Sequence, residues 1–284
     1  MVSAPVRVRQ VERAKVLGLS IRRACKLLDV SRSLVRYEHR QPKKDAPVVA
    51  VMQKLAARYP RYGYRTIRVF LGRAGFPMSI ERMHRLWKQN RLQVPRKSRR
   101  RRKAEARMRI ERPRQPNAVW AYDFVFDACA NGQTLKCFTV IDEYTRESLA
   151  IEVAGSLRAA RVVEVLDRLV AERGQPVAIR SDNGPEFVAV KLLEWMLARG
   201  IMPAHIDPGK PWQNGMDESF NGRFRDLCLN AEWFRSRAEA KPLIETWRRH
   251  YNDVRPHSSL RGMTPTEFRL HYEMTHNRSV KGIS

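Results

Sequence analysis

The sequence predicts an α/β protein, a mixed five-stranded sheet with flanking helices, preceded by small all-α modules. Three observations carry this reading. Hydrophobic residues make up 43% of the 284 positions, enough for one core of real size plus one or two small modules. Charge divides the chain: residues 1–116 hold 33 Lys and Arg against seven Asp and Glu, whereas residues 117–284 hold 22 of each, so the front carries the entire formal net charge of +26. From residue 117 onward, helical spacing of the apolar residues gives way to strand-like alternation. A strongly basic front joined to a neutral globular half points to a polyanion partner, nucleic acid ahead of an anionic membrane surface. The four cysteines form no CxxC and meet no His pair at finger spacing, which argues against structural zinc and suits a reducing cytosol. The N-terminus lacks the apolar core of a signal peptide, and no run approaches the roughly 18 apolar residues needed to cross a bilayer. The expectation is a cytoplasmic protein with no membrane partner.

The front elements follow from caps and apolar spacing. Residues 8–17 suit a first helix. Ser20 can cap a second over IRRACKLL, with Ile21, Ala24, Leu27 and Leu28 inward, and Asp29-Val30 makes a tight break. Ser31 can cap a third over RSLVRYEHR, with Leu34 and Val35 inward and Arg32, Arg36 and Arg40 outward. Two short helices across a brief turn, the second rich in arginine, suit a helix-turn-helix that docks Arg32 and Arg36 on DNA; the alternative is an ordinary helical pair with a solvated basic face. QPKKDAP (41–47) reads as a linker. A helix over 48–58 leads into RYGYR, whose residues can touch a phosphate backbone or simply pack the module. Next comes a helix ended at Gly75, then a Ser79-capped helix with Met83, Leu86 and Trp87 as its apolar stripe, together a second helix-turn-helix-like module. Residues 96–116 hold eleven Lys and Arg against two Glu. Arg99, Arg100, Arg101, Arg102 and Lys103 lie at the centre of this block, which reads as a tether following DNA phosphates rather than a plain solvated linker.

In the neutral half, AVWAYDFVFDA reads as a strand with Trp120, Tyr122, Phe124 and Phe126 on one face and Asp123 and Val125 on the other. Ala130-Asn131-Gly132-Gln133 is a hairpin turn. TLKCFTVID and SLAIEVAG supply two more strands, followed by a helix over 157–173, a short buried strand VAIR, a helix over 186–199, a strand over 201–206 and a helix over about 216–230. The order β-β-β-α-β-α-β-α specifies a hairpin-rich start and parallel crossovers, hence a mixed sheet. Ser236-x-x-Glu239 and Thr264-Pro265-x-Glu267 read as capping boxes of a helical tail, with Pro242 obscuring where its first helix starts. Arg255, His257 and Arg261 in that tail can bind DNA or hold the tail on the core.

Three carboxylates stand out by context: Asp123 in mid-strand, Asp182 just past a buried strand, and Glu218 on the last core helix, with 35 residues between the last two. Asn183-Gly184 lets the backbone turn and frees the Asp182 carboxylate, and an acid at the carboxyl end of a strand sits where α/β folds place ligands. On a helical wheel, Arg225 lies about 340° round from Glu218, nearly beneath it, while Phe220, Phe224 and Leu227 fall on the opposite, core-facing side. Asp217 points about 100° away from Glu218, which favours Glu218 as the functional acid. Asp142, at the end of the second strand, reads as capping the following turn. Carboxylates suit Mg²⁺, and two such ions can clamp the attacking and leaving oxygens of a phosphoryl displacement. The loop 208–215 offers Lys210, Trp212, Gln213 and Asn214 as DNA contacts.

The order of elements resembles the ribonuclease-H-like fold, whose three-acid members carry them on the first strand, after the fourth, and on the helix after the fifth. RYGYRTIR, NAVWAYDF, VIDEYTRE, RSDNGPEF, PGKPWQNGMDESFNGRFRDLCLN and YNDVRPHSSLRGMTPTEF together resemble the OrfB transposases of the bacterial insertion-sequence-three family, relatives of retroviral integrases. The resemblance runs from about residue 48 to 270 and puts Arg225 at the family's basic position. It implies a DDE enzyme that cleaves element ends and joins the 3′-hydroxyls to target DNA, with Asp123, Asp182 and Glu218 holding two Mg²⁺ or Mn²⁺ ions when DNA is bound. It implies homo-oligomers on DNA, a companion OrfA protein or an OrfA–OrfB fusion, and a nucleoid-associated cytoplasmic location. The expected organisation is 1–45 and 46–95 as helix-turn-helix-like modules, 96–116 as basic linker, 117–232 as catalytic core and 233–284 as helical extension. The alternatives are a non-catalytic DNA-binding regulator and a ribonuclease-H-like nuclease.

Overall fold

Ser20 and Ser31 start two of the front helices as the sequence predicts. The computed structural model describes residues 4–36, 40–95, 113–181, 186–205 and 215–281. Contacts divide the chain into two units, residues 1–60 with 70–93, and residues 61–69 with 94–284. In the first unit α1 (Ala4–Val16), α2 (Ile21–Leu27) and α3 (Arg32–Arg36) close on a small core of Val11, Ala24, Cys25 and Val30. Ser20 Oγ accepts from the Arg23 N–H and Ser31 Oγ from the Leu34 N–H, and Asp29 takes φ 49° at the predicted break. Two expected core residues face outward: Leu27 is 76% and Leu34 42% exposed. The buried stripe of α2 runs through Ile21, Ala24, Cys25 and Leu28, the i, i+3, i+4, i+7 set, and Leu27 falls off it.

Residues 41–47, expected as a linker, belong instead to α4 (Arg40–Arg58), which continues through Pro47. Tertiary contacts outweigh the linker-like composition. Asp45 accepts from Arg82 and Arg85, and Val48 and Met52 are buried. Burial acts to raise the Asp45 pKa, but the hydrogen bonds and charges of the two arginines win and lower it. α5 (Tyr64–Arg73) spans the division between units, with Gly75 beyond its end at φ 87°. α6 (Ile80–Gln89) is capped by Ser79 and buries Met83, Leu86 and Trp87 as expected.

In the second unit β1 (Val119–Ala128) pairs antiparallel with β2 (Thr134–Asp142), and β2 pairs antiparallel with β3 (Ser148–Ala154). The intervening crossover is α7 (Ala159–Arg173), which ends at Gly174 with φ 86°. β4 (Ala178–Ser181) pairs in parallel with β1; after α8 (Glu186–Ala198), β5 (Met202–His205) pairs in parallel with β4, so the order is β3-β2-β1-β4-β5. The alternation read in β1 separates two cores. Trp120, Tyr122, Phe124, Phe138 and Val140 pack with residues of α7 and α8 on one face. Ala121, Val125, Cys137 and Ile141 pack on the other against α9 (Gly215–Phe224), a π-helical turn (Arg225–Leu229) and α10 (Arg237–Asp253). Phe126, expected among the aromatics of the first face, is 53% exposed near the strand end. Leu227, expected in the core, is only half-buried, while Cys228 and Leu229 are buried. The π-turn shifts the helical phase and hands the inward place to these two.

The tail is continuous with this core. α10 runs through Pro242 and contributes Ala240, Ile244 and Tyr251 to the second core. Asn252 closes a pair of 2.9 Å hydrogen bonds with the N–H and C=O of Ser148, and Arg248 donates to Ser148 O at 2.7 Å, so α10 fastens the start of β3. Thr264 and Glu267 form the predicted capping box at the start of α11 (Pro265–Lys281), each side chain accepting the other's N–H. Buried Glu147 takes Arg269 of α11 and Arg173 of α7. Among the described residues no helix is long and apolar enough to cross a membrane.

Candidate active site

The site forms where α9 lies along β1. Asp123 sits at mid-strand on the α9 side, paired across the ladder with Thr139. Its Oδ1 accepts from the Phe124 N–H at 2.7 Å, and its Oδ2 accepts from Asn221 Nδ2 at 2.5 Å. Thr139 Oγ1, buried, donates to Asp123 O at 3.1 Å and lies 3.4 Å from Asn221 Oδ1. The Asn221 amide is thereby oriented, with its NH₂ on the carboxylate and its oxygen toward the hydroxyl. Asn221 is three residues beyond Glu218 and four before Arg225, so all three share one stripe of the helix.

That geometry refines the expected exposed stripe. Glu218 and Arg225 are exposed at its ends, but Asn221 between them is only 8% exposed and bound to the strand. Arg225 opens the π-turn, and its Nη1 donates to Phe126 O at 3.2 Å, with further guanidinium N–H groups in its fork. On the other side of α9, Phe220 and Phe224 stack with centroids 6.3 Å apart and meet Trp247 and Tyr251 of α10. Each fully buried Phe contributes about 1.5–3 kcal/mol, which anchors the helix and therefore the Glu218 stripe.

β4 delivers the chain to the same place. Its last residue, Ser181, is the register partner of Tyr122, the neighbour of Asp123. One residue earlier, Arg180 pairs across from Ala121, and its Nη1 lies 2.7 and 2.9 Å from the two carboxylate oxygens of buried Glu143. Burial pushes the Glu143 pKa up, against the pull of Arg180 and Arg146. Asp142 is the turn cap expected of it. Its oxygens accept from the N–H groups of Tyr144, Thr145 and Asn117 at 2.7–2.8 Å, and burial raises its pKa against these donors.

The structure therefore joins Asp123 to Asn221 and Arg225 to Phe126 at one strand–helix contact, with Glu218 exposed on α9 three residues before Asn221. Asp182, Asn183, Lys210, Trp212, Gln213 and Asn214 lie outside the described residues, as do Arg99, Arg100, Arg101, Arg102 and Lys103. Arg32 and Arg36 are exposed on α3 in the first unit. Arg61 and Tyr62 of RYGYR pack rather than project: Arg61 donates to Asp226 and to Asn230 O at 3.1 Å, and the Tyr62 hydroxyl meets His250 Nε2 at 2.9 Å. Of the three tail residues left open by the sequence, Arg255 and His257 are buried and Arg261 is exposed. Asn221 and Thr139 were missed by sequence reasoning; the one available signal was the three-residue step from Glu218 to Asn221. Among the described residues no three His, Cys, Asp or Glu side chains gather as a metal site. Asp123, which Asn221 holds in place, and Glu218, three residues before Asn221 on α9, are hard oxygen donors of the type that suits a divalent cation.

A mixed sheet ordered 3-2-1-4-5, with an aspartate at the middle of its central strand and a glutamate on the helix beside it, defines an integrase-type core of the ribonuclease-H-like class. Comparisons agree. Two families, each described as "Integrase core domain", match residues 113–211 and 199–265. The insertion element IS407 uncharacterized 31.7 kDa protein of Burkholderia multivorans is 40% identical over 91% of this chain and 94% of its own length. The insertion element IS476 uncharacterized 39.2 kDa protein of Xanthomonas euvesicatoria is 40% identical over 95% of this chain and 78% of its own length. Among solved structures, the cryo-EM structure of the simian T-cell lymphotropic virus intasome in complex with PP2A regulatory subunit B56 gamma aligns with a TM-score of 0.50 at 15% identity, over 77% of this chain and 74% of that one, a likeness of fold. The chain belongs to the DDE transposases of bacterial insertion elements, polynucleotidyl transferases with an integrase core domain.

Proposed function

We propose that this chain cleaves DNA at the ends of its insertion element and transfers the freed 3′-hydroxyls into target phosphodiesters, with Asp123, Asp182 and Glu218 as its catalytic carboxylates. The observation that carries this reading is the Asn221–Asp123 hydrogen bond, which ties the Glu218 stripe of α9 to the middle of β1. Asp182 follows β4 directly in the sequence, and β4 ends at Ser181 opposite Tyr122, the neighbour of Asp123. Three carboxylates in one place repel one another, so the set favours a hard cation, Mg²⁺ or Mn²⁺, completed by DNA phosphate. A pair of such ions, when bound, supplies an activated nucleophile and stabilises the leaving 3′-oxygen. Asn221 keeps Asp123 in one rotamer, so that its carboxylate is pre-oriented before DNA arrives.

Around this centre, Arg225, Asn183, Lys210, Trp212, Gln213 and Asn214 serve as DNA contacts. Residues 99–103 belong to a basic tether over 96–116, and Arg32 and Arg36 lie on the outward helix of a helix-turn-helix-like module. The bodies 1–45 and 46–95 bind DNA, 117–232 carries out the chemistry, and 233–284 extends it. The protein works as a homo-oligomer on two element ends, with an OrfA companion or fusion, in the cytoplasm at the nucleoid. Incubation with a pre-cut end, target DNA and Mn²⁺ tests the reading. Joined product from the wild-type chain and none from Asp182→Asn is expected. Hydrolysis without joining would make the protein a nuclease, and equal joining by Asp182→Asn would remove the catalytic assignment.

A further inference from the structure

The π-turn after α9 solves a problem of register. At roughly 100° per residue, Leu229 on an unbroken helix would lie about 180° round from Phe220, on the opposite side. Both are nevertheless buried in the same core, with Phe224 and Cys228. The Asn230 N–H donates five residues back, to Arg225 O at 2.8 Å, and the extra residue held in that loop takes back about 100°, which brings Cys228 and Leu229 inward. The chain is fixed on both sides of the turn. Ahead of it Asn221 donates to Asp123, and Phe220 and Phe224 fill the core. Behind it Phe234 is buried, and its C=O accepts from the Ala130 N–H at 2.8 Å. If the turn relaxed to regular α-helix, one of these two ends would slip by a residue. Arg225, bound to Phe126 O, stands at the joint.

Arg61 closes this turn from outside. Its Nη1 donates to Asp226 Oδ1 and its Nη2 to Asn230 O, both at 3.1 Å, so one planar guanidinium spans the turn from its second residue to its cap. The rigid fork holds the two oxygens at one separation, which a single flexible ammonium does not do. With side chains 42% and 30% exposed, the Arg61–Asp226 pair adds little to global stability. Its effect is local, on the shape of the turn. Arg61 is itself well held. The neighbouring Tyr62 is buried, its hydroxyl is 2.9 Å from His250 Nε2 of α10, and the Arg255 guanidinium lies 5.9 Å from its ring centroid. By contacts, residues 61–69 belong to the second unit, not to the helix they follow in sequence. Turns of this kind are uncommon and occur often at functional sites.

We propose that Arg61 is a positioning residue of the transposase site: its fork holds the π-turn and thereby sets Arg225, four residues beyond Asn221, against the end of β1. The inference rests on the reading of Arg225 as a DNA contact and adds the residue that fixes it in place. Arg61 touches neither DNA nor metal in this role. The RYGYR segment thus serves the catalytic unit as a brace, although it lies far ahead of that unit in sequence.

The test is single-turnover joining of a pre-cut end by the full chain at saturating DNA, beside hydrogen exchange of the amides of residues 226–230. Arg61→Gln is expected to lower the joining rate on the order of ten- to a hundredfold, the scale of a small misplacement near a reacting centre. Its thermal midpoint stays close to that of the wild type, and the amides of 226–230 lose protection. Arg61→Lys keeps the stem and the charge but not the fork, so it falls almost as far; it carries the test if Arg61→Gln unfolds. In an Arg225→Gln background, Arg61→Gln should add less than about twofold, because its effect passes through Arg225. Wild-type joining by Arg61→Lys would make Arg61 a simple charge and overturn the brace. So would a full further loss in the Arg225→Gln background, or unchanged protection of 226–230 in Arg61→Gln. If the wild type itself never joins DNA while Arg61→Gln loses that protection, the proposed function fails and the hold on the turn stands. Normal wild-type joining that Arg61→Gln matches overturns the positioning role alone.

Discussion

Asn221→Ala isolates the contact that ties helix to strand. The variant removes the Nδ2 donor from Asp123 Oδ2 and a polar neighbour from Thr139, whose hydroxyl still reaches Asp123 O at 3.1 Å. A hydrogen bond to an ionised group contributes about 1.5–3 kcal/mol. If the bond is held through the transition state, its loss lowers the joining rate roughly 10- to 150-fold. The cost in stability is smaller, about 1 kcal/mol, because Thr139 keeps a partner. The assay is single-turnover joining of a pre-cut oligonucleotide at fixed divalent cation, with circular dichroism to confirm the fold. Asn221→Asp sharpens the test. It keeps the shape but sets a second carboxylate against Asp123, where like charges oppose ionisation. It should lose more activity than the alanine variant and regain part of it as the divalent concentration rises. Joining by Asn221→Ala at the wild-type rate would refute the idea that this hydrogen bond positions Asp123.

Three further outcomes are expected. Asn252→Ala breaks both hydrogen bonds to Ser148 and leaves its buried N–H without an acceptor, while Ser148 O keeps Arg248; a loss of about 1–3 kcal/mol should appear in the denaturant midpoint. A chain ending at Glu232 loses Phe234, Ala240, Ile244 and Tyr251 from the second core, so it should show no sharp near-ultraviolet dichroism or cooperative melt. Asp45→Asn should destabilise the first unit by about 1 kcal/mol or less at pH 7, since Arg82 and Arg85 are partly exposed. Because the Asp45 pKa is lowered on folding, its contribution is complete above the ordinary value of 3.8 and disappears as pH falls through the folded value. Melting curves of the two proteins should therefore converge in strong acid.

The five strands were legible because their residues alternate or run apolar between clear turn residues, and because two-sided burial of β1 enforces the period. The strand that carries Asp123 and the helix that carries Glu218 were legible in the same way. Other features depend on partners distant in sequence. QPKKDAP has linker composition, yet it is helical because Asp45 meets two arginines about 40 residues on. Asn221 looks like a surface amide on a helical wheel until β1 lies against it. The π-turn displaced Leu227 in favour of Cys228 and Leu229, a one-residue phase change that 3.6-residue periodicity does not anticipate. The tail read as an appendage because the bonds that bind it in, Asn252 to Ser148, cross 104 residues.

The central claim is that three carboxylates on β1, after β4 and on α9 act as one catalytic set. Joining of a pre-cut 3′ end to target DNA, measured side by side for the wild type and for Asp123→Asn, Asp182→Asn and Glu218→Gln, tests it most directly. The expected result is joined product from the wild type and only DNA-alone background from each of the three, all folded and all still binding DNA. Wild-type joining by any one of them would contradict the account.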